Sequence, residues 1–174
     1  MERVEERALI RTTEWAQRSY ENDRRLSVED LCRLHRRWLA DVYAWAGTYR
    51  QVNVSKTGFM FAAAAQIPRL MEEFETSCLA MYTPLRSSHP DIPLALAETH
   101  TELLLIHPFR EGNGRIARLV ARLMAAQAGI EIAGFDALVE RRREEYFAAV
   151  RAGLDRNYNP MRRLFSAMID VGEL

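Results

Sequence analysis

Two helix-like patterns of the 174-residue chain are joined by the stretch HPFREGNGRIAR, residues 107–118. The first pattern ends at His107, because Pro108 lacks the amide hydrogen that an interior helical residue donates. After a loop with two glycines, apolar residues recur at helical spacing from Ile116 to Met124 and predict a second, buried helix. The stretch therefore predicts two helices that meet at one tight loop.

The loop between these helices has the composition of an anion-binding site. Gly112 and Gly114 let backbone amides approach a bound group closely. The start of the following helix offers unpaired amide donors at the positive end of its dipole. Arg115 and Arg118 lie on one face of the first turn, where both can contact phosphate oxygens. The pattern therefore predicts a polyphosphate held on the helix start.

Two further side chains of this stretch suit phosphoryl or nucleotidyl transfer. Glu111 places a carboxylate beside the predicted phosphates, so we expect Mg²⁺ between them. His107 has an ordinary pKa of about 6.5 and can accept a proton near neutral pH. A nucleotide polyphosphate with a histidine base beside it is a site for phosphoryl or nucleotidyl transfer.

The same residues resemble the signature of the Fic (filamentation induced by cAMP) family, HxFx(D/E)GNGRxxR. Every specified position matches, and these positions are His107, Phe109, Glu111, Gly112, Asn113, Gly114, Arg115 and Arg118. A pattern with so many fixed positions of mixed chemistry should essentially never arise by accident in one chain. The resemblance covers residues 28–129 well and is weaker at both ends.

The resemblance implies a protein adenylyltransferase, a nucleotidyltransferase that moves AMP from ATP to a Ser, Thr or Tyr hydroxyl of a target protein. ATP would be the co-substrate and Mg²⁺ the cofactor. His107 would take the proton of the attacking hydroxyl, and Glu111 would hold Mg²⁺ against the α- and β-phosphates. Phe109 would be a structural anchor that packs the loop onto the core.

The resemblance also implies which residues bind the nucleotide. Gly112, Asn113 and Gly114 would line the anion hole. Arg115 would hold the β-phosphate and Arg118 the γ-phosphate. After the motif, Tyr146 and Phe147 could wall an adenine pocket, as the corresponding helix does in relatives, and plain core packing is at least as good an explanation of these two residues.

Residues 48–61 interrupt the helical pattern and predict a short β-hairpin, because β-branched and aromatic residues flank a glycine-containing turn. The resemblance implies that this hairpin is a flap that aligns the target as an added strand. Its target-binding residues would be Lys56, Thr57, Gly58, Met60 and Phe61. Core packing is the alternative for Phe59, Met60 and Phe61.

Composition limits the classes of partner and the compartment. The chain carries 24 basic and 24 acidic side chains, so its formal net charge is 0 and direct nucleic-acid binding is not expected. No apolar run approaches the roughly 20 residues of a membrane helix, so no membrane partner is expected. The two cysteines form no CxxC pair and suggest a reducing compartment. The expectation is a bacterial cytoplasm.

The sequence predicts an all-α fold, a single-domain Fic-type helical bundle over residues 1–174 with a β-hairpin flap over the active site. The core would span residues 28–129, the flap residues 48–61, and further helices would flank the core on both sides. A helix over residues 28–44 begins with a capping box at Ser27. Further helices are predicted over residues 68–81, 135–154 and 160–171.

Two other histidines are assigned structural positions. His35 lies among Arg33, Arg36 and Arg37, which indicates a solvated helix face. His100 precedes His107 by two helical turns on the same face, which favours a place in the core.

The resemblance also implies how the activity would be inhibited. Many Fic proteins carry or borrow a helix with the pattern (S/T)xxxE(G/N), whose glutamate pairs with the second arginine of the motif. The sequence does not contain this pattern. The hypothesis is a separate small antitoxin whose helix supplies a glutamate to Arg118, which would make this chain the toxin of a toxin–antitoxin pair.

Two functions of other classes stay open from the sequence. One is a Fic-fold transferase of another phosphate-containing group, such as phosphate, UMP or phosphocholine. The other is a catalytically silent helical adaptor that kept the motif.

Overall fold

The computed structural model describes residues 2–20, 22–56, 58–132 and 134–170. It is mostly helical, with one two-stranded antiparallel sheet, so the predicted fold class is confirmed. The helices are α1 Glu2–Ser19, α2 Val28–Leu39, α3 Ile67–Phe74, α4 Ala80–Tyr82, α5 Ile92–Ile106, α6 Asn113–Gln127, α7 Phe135–Arg141, α8 Arg143–Ala152 and α9 Asn159–Asp170. The strands are β1 Ser55–Lys56 and β2 Phe59–Met60.

Helix α5 is the centre of the bundle, and α3, α6, α8 and α9 pack around it. Its sequence, IPLALAETHTELLLI, has buried residues on several faces, as expected for a helix covered on most sides. The helix begins at Asp91, whose carboxylate accepts a hydrogen bond from the Leu94 amide at 3.0 Å. Its last residue is Ile106 and His107 caps it, which places the motif at the end of the central helix.

The predicted capping box of α2 is confirmed. The Ser27 hydroxyl accepts from the Asp30 amide at 3.2 Å, and the Asp30 carboxylate accepts from the Ser27 amide at 3.1 Å. The predicted end near residue 44 is wrong, because α2 ends at Leu39. After Leu39 the chain turns back and packs against α2, so closely that a Cβ at Gly47 would lie 2.8 Å from the Cys32 carbonyl oxygen. If α2 continued to residue 44, the chain could not turn back in this way.

The prediction of a solvated His35 is wrong. The ring is fully buried and stacks on Phe109 at a centroid distance of 3.9 Å. Its Nδ1 accepts a hydrogen bond from the Gly47 amide at 2.8 Å, so Nε2 carries the hydrogen and donates to the Glu111 carbonyl at 3.1 Å. The prediction inferred the exposure of His35 from the arginines beside it in the sequence. Consecutive residues of a helix point about 100° apart around its axis, so exposed neighbours do not make His35 exposed.

The predicted helix over residues 135–154 is two helices. It breaks at Arg142, whose backbone leaves the helical region with φ −116° and ψ 39°. Residues 140–145 are all charged, so no apolar side chain holds this segment against the core. The break redirects α8 and brings Tyr146 into the interior, where it is 3% exposed.

The helix predicted to run from residue 68 to 81 also changes form. Helix α3 ends at Phe74, and the backbone is π-helical over Glu75–Leu79 before α4 begins. The C-terminal helix was expected to reach Val171, which lies outside the described residues. Among the helices that the structure describes, none combines the length and the apolar character needed to cross a membrane.

We predict that the free energy of unfolding decreases as the pH falls from about 6.5 to 5. Burial lowers the pKa of His35 to about 4 and that of His100 to about 3, so both rings stay neutral in the folded protein. In the unfolded chain, with a pKa of about 6.5, the same rings take up protons. Each ring then costs up to about 1.4 kcal/mol of stability per pH unit.

Urea unfolding at several pH values between about 7.5 and 5 measures this loss. An unfolding free energy that does not change over this range contradicts the prediction.

Candidate functional site

The motif loop opens onto a cavity of about 300 Å³ between the hairpin, the start of α6 and the helices α7 and α8. This volume is within the range of small-molecule sites. The cavity is lined by many of the predicted site residues, namely Lys56, Phe61, His107, Glu111, Asn113, Gly114, Arg118, Tyr146 and Phe147. The fold therefore brings the motif, the flap and the predicted adenine wall to one place.

The motif loop is closed by Asn113. Its Oδ1 accepts a hydrogen bond from the Phe109 amide, and its Nδ2 donates to the Phe109 carbonyl, both at 2.8 Å. The side chain of Asn113 is therefore committed to holding the loop, although the residue also borders the cavity. Phe109 itself is fully buried and stacks on His35, so the loop is attached to α2.

Gly112 allows the loop to lie against Trp38. Its backbone has φ +82°, in the left-handed region that favours glycine. A Cβ at this position would lie 2.4 Å from Cζ3 of Trp38, which is itself buried. A side chain at position 112 is thus excluded both by conformation and by space.

His107 is oriented by hydrogen bonds on both its backbone and its ring. Its backbone is left-handed, with φ +54°, and its carbonyl accepts a hydrogen bond from Arg50 Nε at 2.7 Å. The ring Nδ1 lies 3.1 Å from the Leu104 carbonyl oxygen, and because a carbonyl can only accept, Nδ1 carries the hydrogen. The lone pair of Nε2 is left to accept a proton.

The surroundings of the His107 ring keep it neutral. It stacks on Phe61 at a centroid distance of 3.7 Å. Burial lowers the pKa of His107 to about 4, and the nearby charges of Arg50 and Lys56 act in the same direction. At neutral pH the ring is therefore an available base.

Arg50 ties the flap to the motif, and sequence reasoning gave it no role. Its buried guanidinium donates to the carbonyls of His107 at 2.7 Å, Val52 at 2.7 Å and Ala62 at 2.6 Å. Its own amide donates to the Pro108 carbonyl at 2.9 Å. A signal for this role was the position of Arg50 between an aromatic and a β-branched stretch, where a surface arginine is out of place.

The two arginines of the motif have different surroundings. The Arg115 guanidinium lies over the Trp38 ring, 4.6 Å from its centroid, and pairs with Glu5 at 3.5 Å and Glu111 at 3.4 Å. Arg115 is absent from the described residues that line the cavity. Arg118 does line it, and its Nε pairs with Asp136 at 2.7 Å.

Glu111 offers one free carboxylate oxygen at the edge of the cavity. Its Oε1 accepts from the Gly112 amide at 2.9 Å and faces Arg115. Its Oε2 makes no hydrogen bond within the part of the chain that the structure describes. No group of three or more His, Cys, Asp or Glu that could hold a metal occurs among the described residues. A single carboxylate fits Mg²⁺ that phosphates also ligate, which is the usual arrangement in nucleotide sites.

The predicted flap residues lie on and beside the two short strands. Lys56 and Phe61 line the cavity, and Lys56 Nζ is 5.7 Å from the centroid of the Phe147 ring. Met60 is 63% exposed, and Gly58 has open space where a Cβ would be. Thr57 lies outside the described residues.

Comparison with known proteins gives a family for this site. The sequence model of the "Fic/DOC family" matches residues 25–125, more than half of the chain. The chain is 34% identical over 134 residues to protein adenylyltransferase VbhT of Bartonella schoenbuchensis, an alignment that covers 76% of this chain and 27% of VbhT. It is 29% identical over 103 residues to the probable protein adenylyltransferase Fic of Salmonella typhimurium, covering 57% of this chain and 50% of that protein. The chain thus spans half or less of the length of these curated relatives.

Solved structures share the fold. The N-terminal Fic domain of a Bep effector protein from Bartonella sp. AR 15-3 superposes with a TM-score of 0.80, at 21% identity, over 99% of this chain and 83% of that one. BepC of Bartonella tribocorum with bound AMPPNP gives a TM-score of 0.75 at 19% identity, over 96% of this chain and 84% of that chain.

We predict that Gly112→Ala destabilises the protein more than Gly129→Ala does. Both glycines have a left-handed backbone, with φ +82° and φ +75°, so each alanine costs about 1–2 kcal/mol in conformation. Only the alanine at position 112 also meets a ring, that of Trp38, whereas nothing lies within 4 Å of a Cβ at position 129. Urea unfolding of both variants measures the difference, and equal losses contradict the prediction.

Proposed function

The chain belongs to the Fic/DOC family, and on this premise we propose that it is a protein adenylyltransferase. It would transfer AMP from ATP to a Ser, Thr or Tyr hydroxyl of a target protein. The observation that carries the proposal is the His107 ring, which is neutral, presents an unprotonated Nε2, and lines the same cavity as the helix start and Arg118. A base beside an anion site is what this reaction needs.

In the proposed reaction, the target hydroxyl oxygen forms a bond to the α-phosphorus of ATP. The bond from that phosphorus to the oxygen bridging the α- and β-phosphates breaks, and pyrophosphate leaves. The proton of the hydroxyl passes to Nε2 of His107, while the Leu104 carbonyl holds the Nδ1 hydrogen and stabilises the imidazolium. The amides at the start of α6 and the Arg118 guanidinium face the negative charge of the phosphates.

We include Mg²⁺ in the proposal as the cofactor. When bound, it supplies positive charge that offsets the phosphate oxygens and the leaving pyrophosphate. Glu111 would hold it through Oε2, because Oε1 is already engaged by the Gly112 amide. The proposal therefore expects activity to require a divalent cation and to be lost in excess chelator.

The flap is proposed to bind the target. Lys56 and Phe61 border the cavity, and Met60 is exposed beside them, so all three are placed to contact a polypeptide near the reacting hydroxyl. Phe61 also stacks on His107, which couples the flap directly to the base. An extended segment of the target could add to the open edge of the two-stranded sheet.

We predict that a cell lysate incubated with the protein and ATP incorporates label from the α-phosphate and not from the γ-phosphate. His107→Ala should abolish incorporation, because it removes the base, and His89→Ala should retain it, because His89 lies outside the cavity lining. Autoradiography after gel electrophoresis detects the label. Incorporation from the γ-phosphate would instead identify a phosphotransferase. No incorporation from either position would contradict adenylyl transfer and leave the transferase of another group, such as UMP or phosphocholine, and the silent adaptor.

We further propose that a separate small antitoxin controls this activity by placing a glutamate on Arg118. The proposal is supported by the position of Arg118 on the cavity wall. Asp136, 63% exposed, already forms an ion pair with Arg118, so a partner glutamate would have to share or replace this contact.

The toxin proposal predicts that expression of the chain alone arrests bacterial growth. The His107→Ala variant should restore growth at equal expression, which ties the effect to the reaction rather than to protein load. Growth curves after induction measure both. Normal growth with the active wild-type protein, and no small protein that co-purifies with it, would contradict the proposal.

A further inference from the structure

A buried carboxylate of α1 lies next to the motif, and the proposed reaction gives it no part. Glu5 is 8% exposed. Its Oε1 accepts a hydrogen bond from the Tyr43 hydroxyl at 2.8 Å. Its backbone carbonyl accepts from Trp38 Nε1, also at 2.8 Å, so the main chain of α1 is already attached to α2. Because a buried carboxylate is costly unless it is paired, its second oxygen needs a partner of its own.

That partner is Arg115 of the motif. Nη1 of Arg115 lies 3.5 Å from Oε2 of Glu5. The guanidinium carbon lies 4.6 Å from the centroid of the Trp38 ring, which is itself buried. Glu5 and Trp38 are joined to each other by the hydrogen bond from the indole. The Arg115 guanidinium therefore rests between a buried carboxylate and a buried ring, and both restrict its movement.

The other end of the Arg115 guanidinium reaches Glu111, the candidate ligand of Mg²⁺. Nη2 of Arg115 is 3.4 Å from Oε1 of Glu111. The exposed fraction of the side chains rises along this series, from 10% for Glu5 to 31% for Arg115 and 59% for Glu111. The buried carboxylate is therefore the fixed end of the series, and the exposed carboxylate is the end whose orientation has to be determined.

The orientation of Glu111 decides which of its oxygens is free for a cation. Arg115 and the Gly112 amide both engage Oε1, at 3.4 and 2.9 Å. Among the residues that the structure describes, none gives Oε2 a hydrogen bond, and Glu111 borders the cavity. An exposed ion pair is weak when both of its side chains can move freely. An arginine that is held in place favours this one orientation of Glu111 over the others.

We propose that Glu5 is a positioning residue that, through Arg115, keeps Oε2 of Glu111 free for Mg²⁺ when ATP binds. This inference rests on the proposed function, in which Glu111 holds Mg²⁺. Outer-sphere partners that orient a ligand carboxylate are a general feature of metal sites. Glu5 lies outside residues 25–125, which the family model matches, so α1 adds this support from outside the family pattern.

The test is the affinity of the purified full chain for ATP, measured by isothermal titration calorimetry once with Mg²⁺ and once with excess EDTA. Glu5→Gln keeps the size of the side chain and removes its charge. It should weaken ATP binding roughly tenfold with Mg²⁺, the lower end of the effect of a lost outer-sphere partner. It should leave ATP binding in EDTA unchanged, because Glu111 then has no cation to hold.

The matched control is Glu14→Gln, the same substitution on the same helix. It breaks an ion pair with Arg18, at 3.8 Å, between two exposed side chains. Glu14 does not border the cavity, so this variant should keep the wild-type affinity both with Mg²⁺ and in EDTA.

A second arm asks whether the effect passes through Arg115. In an Arg115→Ala background, Glu5→Gln should cause no further loss of ATP affinity with Mg²⁺. Tyr43→Phe removes the hydroxyl that orients Oε1 of Glu5, and it should cause a smaller loss that again requires Mg²⁺. It is the independent variant if Glu5→Gln disturbs the fold. Urea unfolding checks each variant.

Three results overturn the inference. The first is an unchanged ATP affinity of Glu5→Gln with Mg²⁺. The second is an equal loss with Mg²⁺ and in EDTA, which would mean that Glu5 acts on the phosphates or on the fold rather than on the cation. The third is a loss that persists in the Arg115→Ala background.

In all three cases the proposed function stands, provided that the wild-type chain binds ATP and needs His107 for transfer. A wild-type chain with no affinity for ATP in the presence of Mg²⁺ overturns the inference and the proposed function together.

Discussion

The site depends first on the buried guanidinium of Arg50. A buried charge is stable only when its donors are satisfied, and here backbone carbonyls from the end of α5 and from both sides of the flap satisfy them. The same contacts hold His107 in its left-handed conformation. Because one cation binds all three segments, the base and the flap cannot move independently without leaving carbonyls unsatisfied. The relative position of the base and the target-binding strands is thus determined inside the protein, before any ligand binds.

Helix α2 supports the motif from the opposite side. His35 stacks on Phe109 and donates to the Glu111 carbonyl, and Trp38 fills the space that a side chain on Gly112 would need. These contacts are directional, so the loop has one conformation rather than several. The residues that perform the proposed chemistry are few, but their geometry is set by neighbours that never reach the cavity. This separation explains why His35, a neutral, buried histidine outside the cavity lining, is integral to the site.

The sequence predicted the fold class, the capping box and the motif because each depends on local pattern or on a long specific signature. It failed where non-local contacts decide. His35 was assigned to solvent from its arginine neighbours, yet its environment comes from the motif loop across the fold. Spacing predicts Arg115 and Arg118 on one face, and it does not show that Arg115 lies over Trp38 and beside Glu5 of other helices, outside the residues that line the cavity. The β-phosphate role of Arg115 stays a prediction. The break at Arg142 was missed because a charged run has no apolar period that would show where a helix leaves the core.

The different surroundings of the two arginines have a consequence for the charge of the cavity. Arg115 pairs with two carboxylates and lies over an indole, so part of its charge is offset by groups of the protein itself. Nε of Arg118 is engaged by Asp136, and the four hydrogens of the two Nη groups lie in the same guanidinium plane, mostly along its other edges. A phosphate can therefore approach Nη while the carboxylate stays on Nε. Asp136 supports the arginine on its outer side without blocking it, and the positive potential of the helix start is added to that of the Arg118 guanidinium.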